Sequence, residues 1–393
     1  MPIVVLRKKN SPLQVVVIEP SGRLYGSEYC LLDIIDGLSR TRFSWRVCLP
    51  QGAGFDQLLI KRGIPCEFLL PSNLGRLPRW RKLLVYAKVF WRLKQLKPDL
   101  LYVNQTGSLR AAAMYARWLQ LPVVCQVQTL EDARWLSKNP GLHQVAQAFI
   151  CNSEFIAEET LCRPQQKCVL YQGVPPGKVT HAKKERLFPR KDLYQYGGQQ
   201  PFVIGILGRI AISKGHYVLI KAAELLQTLL PACRFVVIGA GLTPEETQEF
   251  EQAGCQSGLA PWFEFRGYRQ DIAAELARLD LLVMPSLAEP LGRVLFDAAE
   301  YGVPVVLSDA GGLGEISRRF DVGVRFKSGD AVALAQALKV VAQNYQEIRQ
   351  RFLASSLSML ERLSMQSYLS SVERILLAAA DRRPSCEVWL GDE

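Results

Sequence analysis

Residues 285–315 read PSLAEPLGRVLFDAAEYGVPVVLSDAGGLGE, and their order decides the fold. A loop carrying Glu289 leads into a short helix carrying Asp297. A continuous apolar run, VPVVLSD, then reads as a strand buried on both faces and ends near the pair Gly311-Gly312. The helix is expected to begin near Gly292, so its unpaired backbone N–H groups and positive end face the loop, a ready site for an anion. Two acids beside such a helix start suit a ligand with hydroxyls at both ends and phosphate between. A nucleotide sugar has that chemistry.

Working outward, the same βα rhythm fills the second half. Strand FVIGIL (202–207) is followed by the loop GRIAISKG (208–215) and a helix with Leu219, Ala222, Ala223 and Leu226 on its inner face. Arg209 and Lys214 sit in that loop between glycines, which allow close backbone approach to a phosphate while the side chains supply positive charge. Taken alone, two basic residues in a turn are ordinary solvated side chains. RFVVIGAG, FEFRGYRQD and LLVMP continue the strands, 330–344 reads as an amphipathic helix, and a final helix is expected over 364–382. No G-x-G-x-x-G occurs, which weighs against a dinucleotide-dependent dehydrogenase.

The first half alternates in the same way. QVVVI (14–18) reads as a buried strand, and a loop, 19–27, closes on Gly26-Ser27-Glu28, where Ser27 is placed to cap the next helix. WRVCLP and CEFLL read as further strands around a helix near 55–62. DLLYVNQ ends in Asn104-Gln105 at the carboxyl edge, where open α/β sheets place ligands. PVVCQVQ carries Gln126 and Gln128 at the corresponding edge. The segment 175–200, charged and broken by proline and glycine, reads as an interdomain linker.

Residues 76–97, RLPRWRKLLVYAKVFWRLKQLK, contain eight Lys and Arg and no acid. Trp80, Leu83, Leu84, Ala87, Phe90 and Trp91 recur at helical spacing on one face. That pattern is expected of a helix lying on an anionic membrane; a core-packed helix with a solvated basic face gives a similar one.

The chain has 393 residues, enough for two ordinary domains, and about half of them are hydrophobic. The net charge of +11 fits an anionic ligand or surface. No motif argues for nucleic acid, and none is expected as a partner. The ten scattered cysteines read as reduced thiols of a cytoplasmic protein and show no zinc spacing. The Met1–Val5 patch, broken by Arg7-Lys8-Lys9, is too short for a signal peptide, and no apolar run is long enough to span a bilayer.

The E-x7-E-like pair Glu289 and Asp297, the G-V-P-V-V run, the Gly-Gly and Glu315 together resemble the retaining family-4 glycosyltransferases (glycosyl transferases group 1). The resemblance is specific from Gly205 to Glu315 and weaker in the first half, where Tyr171-Gln172-Gly173-Val174 matches the family's strand-end turn. It implies the GT-B fold: two Rossmann-like, doubly wound α/β domains facing across a cleft. The expected division is an acceptor-side domain over 1–178, a linker over 179–200, a nucleotide-sugar domain over 201–365, and a C-terminal helix crossing back with a tail over 366–393. By the resemblance, Arg209, Lys214 and Glu289 are catalytic: the two cations hold the donor diphosphate and offset leaving-group charge, and Glu289 binds donor-sugar hydroxyls. Leu291, Gly292 and Arg293 offer backbone N–H groups, Asp297 accepts from the ribose, and Gly267-Tyr268 lie against the base. Gly26, Ser27, Asn104 and Gln128 line the acceptor side.

Two departures stand out. Asp297 replaces the family's usual Glu, and Gln126 and Gln128 stand where the family often has histidine. The expected activity is metal-independent, retaining hexosyl transfer from a UDP- or GDP-sugar to a glycan or lipid-linked acceptor, without a cofactor, in cell-surface polysaccharide synthesis. Its expected place is the cytoplasm, peripherally at the inner face of the membrane. A weak or inactive member binding a nucleotide sugar or a partner is the alternative. An epimerase or phosphorylase of similar fold would need an added acid or a cofactor lysine.

Overall fold

A computed structural model of the chain describes residues 11–24, 26–52, 54–71, 76–175, 201–227, 233–256 and 258–383. The expected linker over 179–200, the Met1–Val5 patch and the tail after Pro384 lie outside these residues. The chain divides into two compact units, Met1–Gly173 with Met365–Glu393, and Val174–Ser364.

The first unit holds β1 (Leu13–Ile18), β2 (Phe43–Cys48), β3 (Cys66–Glu67), β4 (Leu100–Val103), β5 (Val123–Val127), β6 (Ala148–Cys151) and β7 (Lys167–Val169). They form one sheet in the order β3-β2-β1-β4-β5-β6-β7, with every pair parallel. The strands are apolar because both faces are covered. In β1, Leu13, Val15 and Val17 join one core with helices Gly26–Gly37 and Met365–Ala380. Val16 and Ile18 join another with helices Arg79–Leu96 and Leu109–Leu119. Gly173 lets Met365–Ala380 seat closely, since a Cβ there would lie 2.6 Å from that of Tyr368.

The second unit holds β8 (Phe202–Leu207), β9 (Cys233–Ile238), β10 (Phe263–Gly267), β11 (Leu281–Met284), β12 (Val305–Ser308) and β13 (Val324–Phe326). Its parallel order is β10-β9-β8-β11-β12-β13. Each sheet reverses its winding once, between β1 and β4 and between β8 and β11. Ligands of open α/β sheets bind outside the carboxyl ends of the strands at such a switch point. Register decides what emerges there. Ile18 pairs with Val103, so Glu19 and Asn104 leave the sheet side by side. Ile206 pairs with Val283, so the loops after β8 and β11 do the same.

Several local expectations are corrected. CEFLL forms only the two-residue edge strand Cys66–Glu67. The first helix begins at Gly26, which puts Ser27 inside its first turn instead of at a cap. A long helix, Tyr345–Arg362, precedes the last one and was not foreseen. The basic helix Arg79–Leu96 forms, but Arg92 is not part of a free cationic face. Its guanidinium grips both Glu67 oxygens at 2.9 Å, with Arg46 on the same carboxylate at 2.7 Å. These pairs, Arg92 first, lower the Glu67 pKa. Among the described residues no helix is long and apolar enough to cross a membrane.

Candidate active site

Three adjacent strands of the second unit, β8, β11 and β12, each deliver a helix N-terminus to the same sheet edge. These are His216–Leu226, Arg293–Tyr301 and Gly311–Phe320. Unpaired N–H groups and positive dipole ends therefore gather at the switch point.

The loop after β8 is held by its glycines and its backbone. Gly215 adopts a left-handed φ of 73°, and any Cβ there would fall 1.8 Å from the Pro285 carbonyl oxygen. Only glycine lets this loop lie against the end of β11. Leu287 N–H then donates to the Ser213 carbonyl at 2.8 Å, tying the two loops together.

The tie brings Lys214 to Glu289. Lys214 Nζ donates to Glu289 Oε2 at 2.6 Å, and Ser286 Oγ donates to the same oxygen at 3.0 Å. Glu289 is buried, and its carbonyl accepts from Gly312 N–H at 2.9 Å, which fastens the loop to the next helix start. Ser286 is fixed in turn, its carbonyl accepting from Ser308 Oγ at 2.6 Å and Ser328 Oγ at 3.1 Å. Among the described residues, Lys214 and Ser286 both donate to Oε2 of Glu289.

Gly292 caps the following helix at φ 89°, where a Cβ would meet Leu313 at 2.7 Å. Leu291 is buried and Arg293 opens the helix. Arg209 is exposed in the loop after β8. Asp297 lies in the second turn of the helix, half-buried. Burial, only partly offset by Arg293, pushes its pKa up to about 6. Gly267, with φ 65° and open space around it, ends β10, and Tyr268 beside it is 72% exposed. Arg209, Lys214, Glu289 and residues 291–293 thus converge on one edge, with Asp297 a turn further on. Gly267 and Tyr268 lie two strands out from β8.

In the first unit, Asn104 Nδ2 donates to Glu19 Oε2 at 2.7 Å across the β1/β4 switch point. Ser21 N–H and Oγ reach Glu19 Oε1 at 2.9 and 3.1 Å. Gln105 Nε2 donates to Glu28 Oε1 at 2.9 Å and to Ser27 Oγ at 3.1 Å. Glu19 and Glu28 are both fully buried. Burial first, then the Glu28 charge, raises the Glu19 pKa to about 7. Gly26 is exposed at the helix start. Gln128 turns its side-chain amide onto Gln126, and its backbone carbonyl accepts from Asn152 Nδ2 at 2.9 Å.

Ser286, Glu19 and Glu28 are not singled out by the sequence, whereas Gln105 is already placed beside Asn104 at the carboxyl edge. Glu19 did carry a signal, being an acid that directly follows an apolar strand at its carboxyl end. Ser286 carried none, because serine in a loop has many uses.

A doubly wound sheet binds its ligands at the switch point, and here that point gathers a lysine–carboxylate pair and three helix starts. Comparison with known proteins narrows the class. Residues 25–178 match the sequence model of Glycosyltransferase Family 4, and residues 201–344 match that of Glycosyl transferases group 1. The chain belongs to this glycosyltransferase family. It is 33% identical over 162 residues to the 2-deoxystreptamine glucosyltransferase of Streptomyces kanamyceticus, covering 41% of this chain and 40% of that protein. It is 28% identical over 198 residues to LpsE of Rhizobium meliloti, a lipopolysaccharide core biosynthesis glycosyltransferase, covering 50% and 54%. The alignments thus span about half of those relatives. Among solved structures, Anabaena Alr3699/HepE in complex with UDP superposes with a TM-score of 0.77 at 23% identity, covering 93% of this chain and all of that one. That likeness is one of fold, GT-B.

Proposed function

We propose that the chain is a retaining glycosyltransferase that moves a hexosyl group from a nucleotide sugar, a UDP- or GDP-sugar, to a hydroxyl of a glycan or lipid-linked acceptor in cell-surface polysaccharide synthesis. The observation that carries this is the Lys214–Glu289 pair among three helix N-termini. Lys214 and Arg209 neutralise the diphosphate and the charge that develops on it as the glycosidic bond breaks, an electrostatic contribution that is large in a water-poor site. Glu289, oriented by Ser286, accepts from sugar hydroxyls. Backbone N–H groups of residues 291–293 serve the sugar and phosphate, Asp297 the ribose, and Gly267-Tyr268 the base. Gly26, Ser27, Asn104 and Gln128 belong to the acceptor side. No metal is assigned to the transfer, so activity is expected to persist in a chelator. The name of LpsE and the UDP bound to HepE support this acceptor and donor class by analogy.

The chain is further proposed to work peripherally at the inner face of a membrane. A catalytically weak, nucleotide-sugar-binding role is the second reading, favoured by Asp297 and by the amide pair Gln126–Gln128 in place of an imidazole. The test is thermal shift against UDP, GDP, ADP and their common sugars, with Arg209→Ala beside the wild type. A shift with one nucleotide, lost in the variant, together with release of that nucleotide on turnover, is expected. Binding without turnover selects the second reading, and no shift with any nucleotide overturns both.

A further inference from the structure

We infer that the helix Arg79–Leu96 and Trp118 of the neighbouring helix Leu109–Leu119 form one docking surface for an anionic lipid bilayer. It rests on the proposed peripheral placement and specifies the surface that makes contact.

The helix is anchored along one side only. Val89 and Leu93 are buried in the core beneath it, with Val85, Tyr86 and Phe90 partly covered. The opposite stripe faces out: Trp80 is 58% exposed, Leu83 66%, Leu84 56% and Trp91 59%. From Trp80 to Trp91 the stripe runs about 16 Å along the helix axis. Trp118, 68% exposed, extends it from a second helix. The Phe90 ring joins the two parts, standing edge-on to Trp91 at 6.1 Å and to Trp118 at 5.5 Å. Contiguous exposed apolar surface of this kind marks a binding face.

The rim says what binds. Arg81 lies 5.0 Å over the Trp80 ring and Lys94 5.1 Å over that of Trp91. Arg79, Lys88, Lys97, Arg110 and Arg117 add positive charge, and neither helix contains an acid. In a contact between two copies across a two-fold axis these cations would face one another. Anionic headgroups complement them, and indole rings favour the boundary between headgroup and acyl chain. The helix is not apolar enough to cross a bilayer, so it lies in the plane of the interface. Arg92, held by Glu67, is no part of the rim.

The full chain is to be sedimented with vesicles of phosphatidylglycerol and phosphatidylethanolamine, and with vesicles of phosphatidylcholine alone. The wild type is expected to bind the anionic vesicles, to release them in high salt, and to show a blue shift of indole fluorescence. Trp80→Ser/Trp91→Ser/Trp118→Ser and, separately, Arg81→Gln/Lys88→Gln/Lys94→Gln are each expected to lower partitioning at least about tenfold. Trp118→Ser alone is expected to lower it severalfold, with the melting temperature unchanged. Equal binding to neutral vesicles, or binding that survives both triple variants, overturns the proposal. So does a dimer in solution that the tryptophan variant breaks, which would assign the patch to a second copy. The nucleotide-induced thermal shift, read on the same samples, separates the two ideas. If it persists while vesicle binding is absent, the membrane placement and its surface fail and the transferase reading stands; if it is absent while vesicle binding is intact, only the transferase reading fails.

Discussion

Lys214 Nζ sits 2.6 Å from Glu289 Oε2 although 75 residues separate the two in sequence. Each stands in the loop that follows one of the two central strands, β8 and β11, and the switch in winding makes those loops neighbours. Glu289 is buried, and this cation and the Ser286 hydroxyl are the partners that its carboxylate has in place of water.

Lys214→Ala is therefore expected to leave a buried carboxylate unpaired and to cost both stability and turnover. Turnover should fall by about 10²–10³, as for loss of one preorganised charge at a reacting group. Ser286→Ala should have a milder effect, about tenfold on kcat with nucleotide affinity retained, because one hydrogen bond orienting Glu289 is lost. Steady-state kinetics with isothermal titration of the nucleotide would check both. A Ser286→Ala enzyme with wild-type kcat would show that Lys214 alone orients the carboxylate.

Asp297 is one methylene shorter than the residue usual in the family. Asp297→Glu is expected to tighten donor binding by about tenfold, the worth of one charge-assisted hydrogen bond at its lower end. The folded-state pKa of Asp297 is raised to about 6, so its ionised form is lost as pH falls through that value. Nucleotide-sugar affinity of the wild type should weaken below pH 6. Titrations at pH 5 and pH 8 with both proteins would measure this, and an unchanged affinity would remove Asp297 from ribose binding.

Glu19 offers a stability test of opposite sense to the usual carboxylate. Its pKa rises from 4.5 to about 7 on folding, so the folded state holds the proton more tightly. Its contribution is intact below pH 4.5 and declines as pH rises through 7. Glu19→Gln keeps the shape and removes the charge from beside Glu28. The variant should be more stable than wild type at pH 8, by a few kcal/mol at most, with the difference vanishing near pH 4.5. Chemical denaturation across that range is the measurement.

His216 follows the loop that carries Lys214 and is fully buried, with neither ring nitrogen in good hydrogen-bond geometry. Burial, helped by the Lys214 charge and partly offset by a looser approach to the Ala211 backbone, pushes its pKa down to about 4. A histidine held neutral contributes stability that is present above its unfolded value of 6.5 and lost as pH falls toward 4. The ring stands edge-on to Phe250 at 5.2 Å, an arrangement a phenyl group reproduces. His216→Phe is expected to raise Tm and to remove this part of the acid loss. A lower Tm at pH 7 would mean that the imidazole has a polar partner such as a buried water.

The sequence by itself determined what depends on local chemistry. Alternating apolar runs and helical periodicities specify two doubly wound sheets, because a strand covered on both faces must be apolar throughout. The glycine-bracketed loop with Arg209 and Lys214, and the loop-and-helix with Glu289 and Asp297, were legible because chain punctuation and residue type already state their chemistry. The tertiary structure alone decided which of these groups meet. The Lys214–Glu289 bond needs the β8/β11 register and the missing Cβ at Gly215. Glu19 acquires its proton affinity only when folding buries it beside Glu28, since desolvation is a property of surroundings and not of residue type. Trp118 joins Trp91 only because their helices pack through Phe90, and Arg92 leaves the basic face only because β3 presents Glu67 to it. Pair contacts between residues distant in the chain are set by topology, which periodicity outlines but does not dock.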